Sequence, residues 1–280
     1  MPEPDIFIVK SNGQRERFSF GKLRDSLKQA GSSEALAGEI STHVEKEVLN
    51  GMTTDEIYRH AFALLRKSAR PAAARYSLRR AVLELGPTGF PFERYIAELY
   101  RHRGFSVLLD QTVVGKCVSH EIDVVAWNAE KLIMVEAKYH HDIAHKSDLK
   151  VALYVKARFD DLALGSYRFG EHTRLTEGWL ITNTKFTERA IAYAECSGVQ
   201  LLGWNYPLRE TLHDLIEKAQ LHPITCLTTF SAGEKKVLLE KGMVLCRSVR
   251  AEPERLRALG FDDGLIRRAG EESALVCPAS

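Results

Sequence analysis

Two short apolar runs, residues 122–127 and 132–135, are rich in β-branched side chains and flank the polar stretch Asn128-Ala129-Glu130-Lys131, a pattern that reads as a β-hairpin. Asp123 lies in the first run, and Glu136-Ala137-Lys138 closes the second. Side chains alternate faces along a strand, so Glu136 and Lys138 share one face while Ala137 points away, and Asp123 reaches that face from the neighbouring strand. Two converging carboxylates suit a hard cation such as Mg²⁺, which takes oxygen ligands and keeps several waters. A lysine beside them orients a water or stabilises charge that develops on a phosphate. The same spacing also fits a plainer arrangement, in which Asp123 terminates an edge strand and Glu136 with Lys138 forms a solvated cross-strand ion pair. The remainder of the chain has to decide between the two.

A chain of 280 residues is long enough for two domains or one large one. Its net charge of +2 permits a local basic surface for nucleic acid but does not demand one. Five cysteines, Cys117, Cys196, Cys226, Cys246 and Cys277, are scattered without any Cys-x-x-Cys spacing, which argues against a disulfide framework or a structural zinc and for reduced, mostly buried thiols. The opening residues MPEPDIFIVK lack the charged start and apolar core of a signal peptide, and no apolar run approaches membrane-spanning length. A cytoplasmic location with no membrane partner is expected.

Read in order, residues 6–10 alternate as a strand, Ser11-Asn12-Gly13 supplies a turn, and residues 15–20 return. Leu23, Leu27 and Ala30 then recur at helical spacing up to Gly31, a second helix spans about 33–49, Thr53 or Thr54 caps a third, and Pro71 opens a fourth. Gly86-Pro87-Thr88-Gly89 is a linker. Val9-Lys10, Gly13, Glu16-Arg17-Phe18, Lys22-Leu23, Gly51-Met52-Thr53-Thr54-Asp55-Glu56-Ile57 and Ala74-x-Tyr76 with Arg79 resemble the ATP-cone, a nucleotide-binding module built of a β-hairpin on a helical bundle. That resemblance implies an α+β domain over residues 1–86 that takes ATP or dATP as an allosteric ligand. It implies phosphate charge from Lys10 and Lys22, polar contacts from Glu16, Ser19 and Thr54, and an apolar wall for the base from Phe18, Leu23 and Ile57. The chain departs from the usual cone at Ser11 and Gly21, and it has no Gly-rich loop with Lys-Ser/Thr, so P-loop hydrolysis of ATP is not expected.

The next stretch starts with Pro91-Phe92-Glu93 and a helix whose apolar positions are Phe92, Ile96, Leu99 and Tyr100, ending at Gly104-Phe105. A strand begins at residues 107–109, residues 113–117 read as irregular, and the hairpin follows. Helix, strand and carboxylate-bearing hairpin in this order resemble the PD-(D/E)XK nuclease superfamily, in its Mrr-like restriction endonuclease branch. The later pattern Ile181-Thr182-Asn183, Phe186-Thr187 and Ala190 resembles the second half of Mrr-like catalytic domains. The resemblance implies a mixed-sheet α/β/α core over residues 90–210, with Glu93, Asp123, Glu136 and Lys138 catalytic and with Asp123 and Glu136 holding Mg²⁺ or Mn²⁺. Glu98 competes with Glu93 for the place on the first helix.

Between those motifs, residues 148–162 read as a helix with Leu149, Ala152, Leu153 and Phe159 on its apolar face. Residues 139–145, Tyr-His-His-Asp-Ile-Ala-His, invite a zinc reading if helical, since His141 and His145 then share a face, but a softer role against DNA phosphates for His140, His145, Lys146 and Lys150 fits the neighbouring oxygen-ligand chemistry better. Residues 222–280 read as helical, and helix ends at Gly242-Met243 and Gly260-Phe261 resemble the helix-hairpin-helix group, with a structural cap or protein-interaction module as the other reading. The whole is thus expected to be an α/β multidomain protein: a metal-dependent DNA endonuclease regulated by adenine nucleotide and assembling as a homo-oligomer, a dimer or higher. The alternative is a nucleotide-sensing DNA-binding regulator on a nuclease-like fold that does not cut.

Overall fold

The computed structural model describes residues 6–10 and 13–278. Contacts divide the chain into two compact units, one of residues 1–81, 224–233 and 246–280 and the other of residues 82–223 and 234–245. The turn expected at residues 11–13 falls largely outside the described residues. On either side of it β1 (Phe7–Val9) and β2 (Arg15–Arg17) pair antiparallel with Ile8 opposite Glu16. The returning strand is shorter than its alternation suggests, because Ser19 leaves the sheet to cap α1 (Phe20–Gln29), its hydroxyl accepting the Lys22 N–H at 3.3 Å.

Ser33 caps α2 (Glu34–Glu47) in the same way. Thr53 and Glu56 form a reciprocal capping box at the start of α3 (Thr54–Ser68), with the Thr53 hydroxyl accepting the Glu56 N–H at 3.2 Å and the Glu56 carboxylate accepting the Thr53 N–H at 2.8 Å. Pro71 sits in the first turn of α4 (Arg70–Tyr76), and α5 (Leu78–Leu83) follows. Leu27, Ile40, Val44, Ala61 and Leu65 fill the middle of this bundle.

In the second unit, α6 (Phe90–His102) ends where Gly104, at φ +84°, lets the Phe105 N–H reach back to the Tyr100 carbonyl at 3.1 Å. A long β3 (Ser106–Val114) and β4 (Ser119–Trp127) then pair antiparallel all the way to Val114 opposite Ser119. Residues 113 and 114, expected to be irregular, therefore belong to the strand, held there because Val113 is buried in the core. Asn128 turns the chain into β5 (Leu132–Lys138) by accepting the Glu130 and Lys131 N–H groups at 2.9 and 3.0 Å.

After β6 (Lys146–Ser147), Asp148 caps α7 (Leu149–Ala163). Its buried stripe is Ala152, Val155, Phe159 and Leu162, which corrects the sequence reading at Leu153, 44% exposed. Steps of three, four and three residues keep that stripe on one line, and Leu153 stands about 100° away from it. The chain continues through β7 (Glu177–Thr182), β8 (Lys185–Phe186), α8 (Glu188–Ser197), β9 (Gln200–Leu202) and α9 (Leu212–Ala219).

The main sheet has the order β3-β4-β5-β7-β9, antiparallel from β3 to β5 and parallel from β5 to β9, with β6 and β8 as a separate parallel pair. Leu132, Met134, Leu180 and Leu201 face the layer of α7 and α8. Ile96, Leu99, Trp179, Ile181, Leu202 and Leu215 meet on the opposite side, so helices cover both faces. Burying each large apolar side chain in such a core contributes roughly 1.5–3 kcal/mol. The loop between β3 and β4 is tied to α7 by Asp161, which accepts the Cys117 N–H at 2.7 Å and pairs with His120 at 2.8 Å. A Cβ on Gly115 would collide with that carboxylate and come within 2.9 Å of the Val118 carbonyl oxygen, so only glycine fits.

Toward the C-terminus, α10 (Ala232–Glu240) closes at Gly242, α11 (Ser248–Ala251) and α12 (Pro253–Ala258) follow, and α12 closes at Gly260 before α13 (Asp263–Val276). Both closures return an N–H to a leucine carbonyl, Met243 to Leu238 at 2.9 Å and Phe261 to Leu256 at 3.2 Å. Residues 224–233 and 246–280 belong to the first unit, where α13 packs on α4. Glu272 on α13 is buried and accepts the N–H and hydroxyl of both Thr228 and Thr229 at 2.6–2.8 Å. All five cysteines are free, three buried and two exposed. Among the described residues no helix is long and apolar enough to cross a membrane.

Candidate functional site

The ladder between β4 and β5 stops at Val124 opposite Val135. One residue further, the Asp123 carboxylate accepts the Ala137 N–H at 2.6 Å, while β5 runs on beside β7 with Glu136 opposite Leu180 and Lys138 opposite Thr182. A fork opens between the strands, and the acidic groups stand in it. Glu93 lies in the first turn of α6. On β3, Asp110 falls between the pairs Leu109–Val124 and Gln111–Ile122, hence opposite Asp123, and takes the left-handed conformation at φ +53°.

Burial and then the nearby Glu136 charge push the Asp123 carboxyl up to about 7, with Glu93 adding to the shift and the Ala137 N–H and Arg158 opposing it. Burial, followed by Asp110 and Glu136, also raises Glu93. These shifts place Glu93, Asp123 and Glu136 in one electrostatic neighbourhood. Among the described residues their ligand atoms are nevertheless not all within 4.8 Å of one another. Like charges repel, and Glu136 is turned to the guanidinium of Arg158, which also donates to the Glu121 carbonyl. Lys138 is exposed at the edge of the fork. Glu98 instead pairs with Arg101 at 2.5 Å along its own helix.

An oxygen-only donor set, partly buried and short of positive charge, is the kind that a hard divalent cation satisfies. Arg158 and Asp110 went unrecognised in the sequence. Both reach the site through register and helix packing, and neither carries a local motif.

The segment after β5 is held by Asn183, only 1% exposed, whose side-chain oxygen accepts the His140 N–H and whose amide donates to the His140 carbonyl, both at 2.8 Å. Thr187 caps α8, accepting the Ala190 N–H at 3.3 Å, and Phe186 is buried. The Ile-Thr-Asn motif therefore runs beside the strand that carries Glu136 and Lys138 and ties down the segment after it, while Phe-Thr-x-x-Ala pairs with β6 and starts α8. Residues 139–145 form no helix, so the shared helical face considered for His141 and His145 does not exist. Instead the His140 and His145 rings lie 4.0 Å apart, and His140 bonds the Ser147 hydroxyl at 2.9 Å. Burial, with His145 and Lys138 nearby, lowers His140 to about 4.

In the first unit, Lys10 pairs with Glu16, and Lys22 approaches the other Glu16 oxygen at 3.6 Å. The Lys10 hydrogen bond, aided by both lysine charges, holds the Glu16 carboxyl below its usual range. Phe18, Leu23 and Ile57 belong to the core of the unit. The Ser19 hydroxyl is engaged in the α1 cap, and Thr54 is the first residue of α3.

Three family profiles match the chain: an ATP cone domain over residues 6–82, a restriction endonuclease domain of the Mrr catalytic type over 87–205, and an AF1548-like C-terminal region over 222–277. An uncharacterised protein of Archaeoglobus fulgidus is 40% identical over 185 residues, which span 65% of this chain and 99% of that protein. The crystal structure of AF1548, a protein of unknown function, shares 35% identity and a TM-score of 0.57 over 69% of this chain and all of its own. The MspJI restriction endonuclease, solved with a 27-mer oligonucleotide, is 12% identical with a TM-score of 0.35 over 61% of this chain and 35% of its own, a likeness too slight to establish a shared fold. The chain belongs to the AF1548-like family and joins an Mrr-type restriction endonuclease domain to an ATP cone.

Proposed function

We propose that this protein is a divalent-metal-dependent DNA endonuclease whose cutting responds to ATP or dATP bound by the cone. The observation that carries the reading is the fork between β4 and β5, where the Asp123 carboxyl is pushed up to about 7 by burial and by two further carboxylates. Asp123 and Glu136 are the residues that would hold Mg²⁺ or Mn²⁺. Such an ion, when bound, stabilises the negative charge that develops on a phosphate during hydrolysis.

Glu93, held above the usual carboxylate range, accepts the proton that the attacking water loses. Lys138, exposed beside the carboxylates, orients that water and meets the phosphate oxygens. Arg158 restrains Glu136 and offsets the crowded negative charge. His145, Lys146 and Lys150, all exposed near this end of β5 and α7, give DNA phosphates positive or hydrogen-bonding partners. Lys10, Glu16 and Lys22 form the polar rim of the nucleotide site, next to Phe18, Leu23, Thr54 and Ile57. Cutting both strands of a duplex needs two such centres, so a homodimer or larger oligomer is the working assembly.

A second reading, a nucleotide-sensing DNA-binding regulator that does not cut, draws on the Arg158–Glu136 pair, which engages one proposed metal ligand. One experiment separates them: supercoiled, linear and branched DNA are incubated with the full chain and Mg²⁺ or Mn²⁺, with and without ATP and dATP, and gel retardation is run in parallel. Metal-dependent cleavage that changes with nucleotide is expected. Nucleotide-dependent retardation without cleavage under any divalent metal would replace the nuclease by the regulator.

A further inference from the structure

Away from the nuclease fork, the helices of the first unit bring together a different set of donors. His43 and Glu47 stand one turn apart on α2, and His60 faces them from α3, which packs against α2. The Glu47 carboxylate presents one oxygen to each ring: His43 Nε2 lies 3.2 Å from Oε1 and His60 Nε2 lies 3.3 Å from Oε2. The two imidazoles meet edge to face with centroids 5.4 Å apart. Among the described residues, this is the one group of three or more His, Cys, Asp or Glu side chains whose ligand atoms all lie within 4.8 Å of one another.

We propose that His43, Glu47 and His60 form a transition-metal site of the Zn²⁺ class. The donor set is two imidazole nitrogens and one carboxylate oxygen, which selects Zn²⁺, Co²⁺ or Ni²⁺ over Mg²⁺ or Ca²⁺. Ligands about 2.0–2.1 Å from a tetrahedral ion lie about 3.3 Å from each other, and each ring nitrogen already has one Glu47 oxygen near that separation, a different oxygen for each ring. A residue pair at i and i+4 supplies a bite from one helix, and the third ligand from the next helix makes the ion a clip between α2 and α3. His43 and Glu47 are about half exposed and His60 one quarter, so the ion enters directly from solvent and keeps a fourth position for water. As a bare ion pair at such exposure the cluster contributes little to stability, whereas metal bound only by the folded form adds its binding free energy.

The test uses the full chain with Co²⁺ as a spectroscopic probe, in the presence of excess Mg²⁺ so that oxygen-ligand sites are saturated. One Co²⁺ per chain should bind with visible d–d absorption of a low-coordinate nitrogen-bearing site, be displaced by Zn²⁺, and raise Tm. His60→Ala should weaken uptake by at least about tenfold, and His43→Ala likewise, while Asp123→Asn leaves it unchanged. Metal-free Tm and circular dichroism of each variant establish that it folds, and His60→Gln offers a second variant of closer size. The proposal is overturned if no Co²⁺ binds, or if binding persists at full affinity in folded His43→Ala and His60→Ala or His60→Gln proteins.

Discussion

Among single residues, Asp123 is one on which burial and neighbouring like charge act together. Its folded carboxyl titrates near 7, above an ordinary value of 3.8, so the folded form binds this proton more tightly than the unfolded chain does. The sign follows directly: stability falls as pH rises from about 4 to about 7, and the loss persists above that range. Asp123→Asn is therefore expected to raise the metal-free Tm at pH 8 by about 5 °C and to leave it nearly unchanged at pH 4, in thermal melts with a chelator. The same variant loses the charge that a cation needs. Arg158 acts in the opposite direction, because its guanidinium, paired with Glu136, favours the ionised form of Asp123. Arg158→Ala should cost about 3 kcal/mol at pH 8 in urea titrations and less at pH 5, where Asp123 is protonated. An equal cost at both pH values would remove its role toward Asp123 and leave only the pair with Glu136.

Elements explain what could be read in advance. The β4–β5 hairpin, the caps at Ser33, Thr53, Asp148 and Thr187, and the glycine closures at Gly104, Gly242 and Gly260 depend on residues a few positions apart, and their chemistry is visible in the chain itself. Long-range register is not. Asp110 stands opposite Asp123 because two nine-residue strands pair without a slip, and Arg158 meets Glu136 across the packing of α7 on the sheet. The helix on which a zinc reading of residues 139–145 would depend is absent for a related reason, since that segment is held by Asn183 from 43 positions away. Asn183 makes a prediction at this scale. Asn183→Ala strands the partly buried N–H and carbonyl of His140, and should destabilise the chain by about 2 kcal/mol while lowering kcat more than it weakens DNA binding, measured by denaturation, cleavage kinetics and retardation together.

For the whole molecule, one chain joins an ATP cone to an Mrr-type endonuclease domain, and the proposed coupling of nucleotide to cutting builds on that joining. ATP or dATP at millimolar concentration should raise Tm by a few degrees, as ligand held only by the folded form does, and Lys22→Ala with Lys10→Ala should reduce that shift in differential scanning fluorimetry. No shift at that concentration would leave the cone as a structural module. The proposed nuclease activity rests on the fork between β4 and β5. The most direct measurement is the rate at which the full chain nicks supercoiled plasmid on addition of Mg²⁺, for the natural sequence and for Lys138→Ala. Nicking is expected to be abolished by chelator and slowed at least about a hundredfold by Lys138→Ala. Equal rates in the two proteins, or nicking that survives chelation, would contradict this proposal.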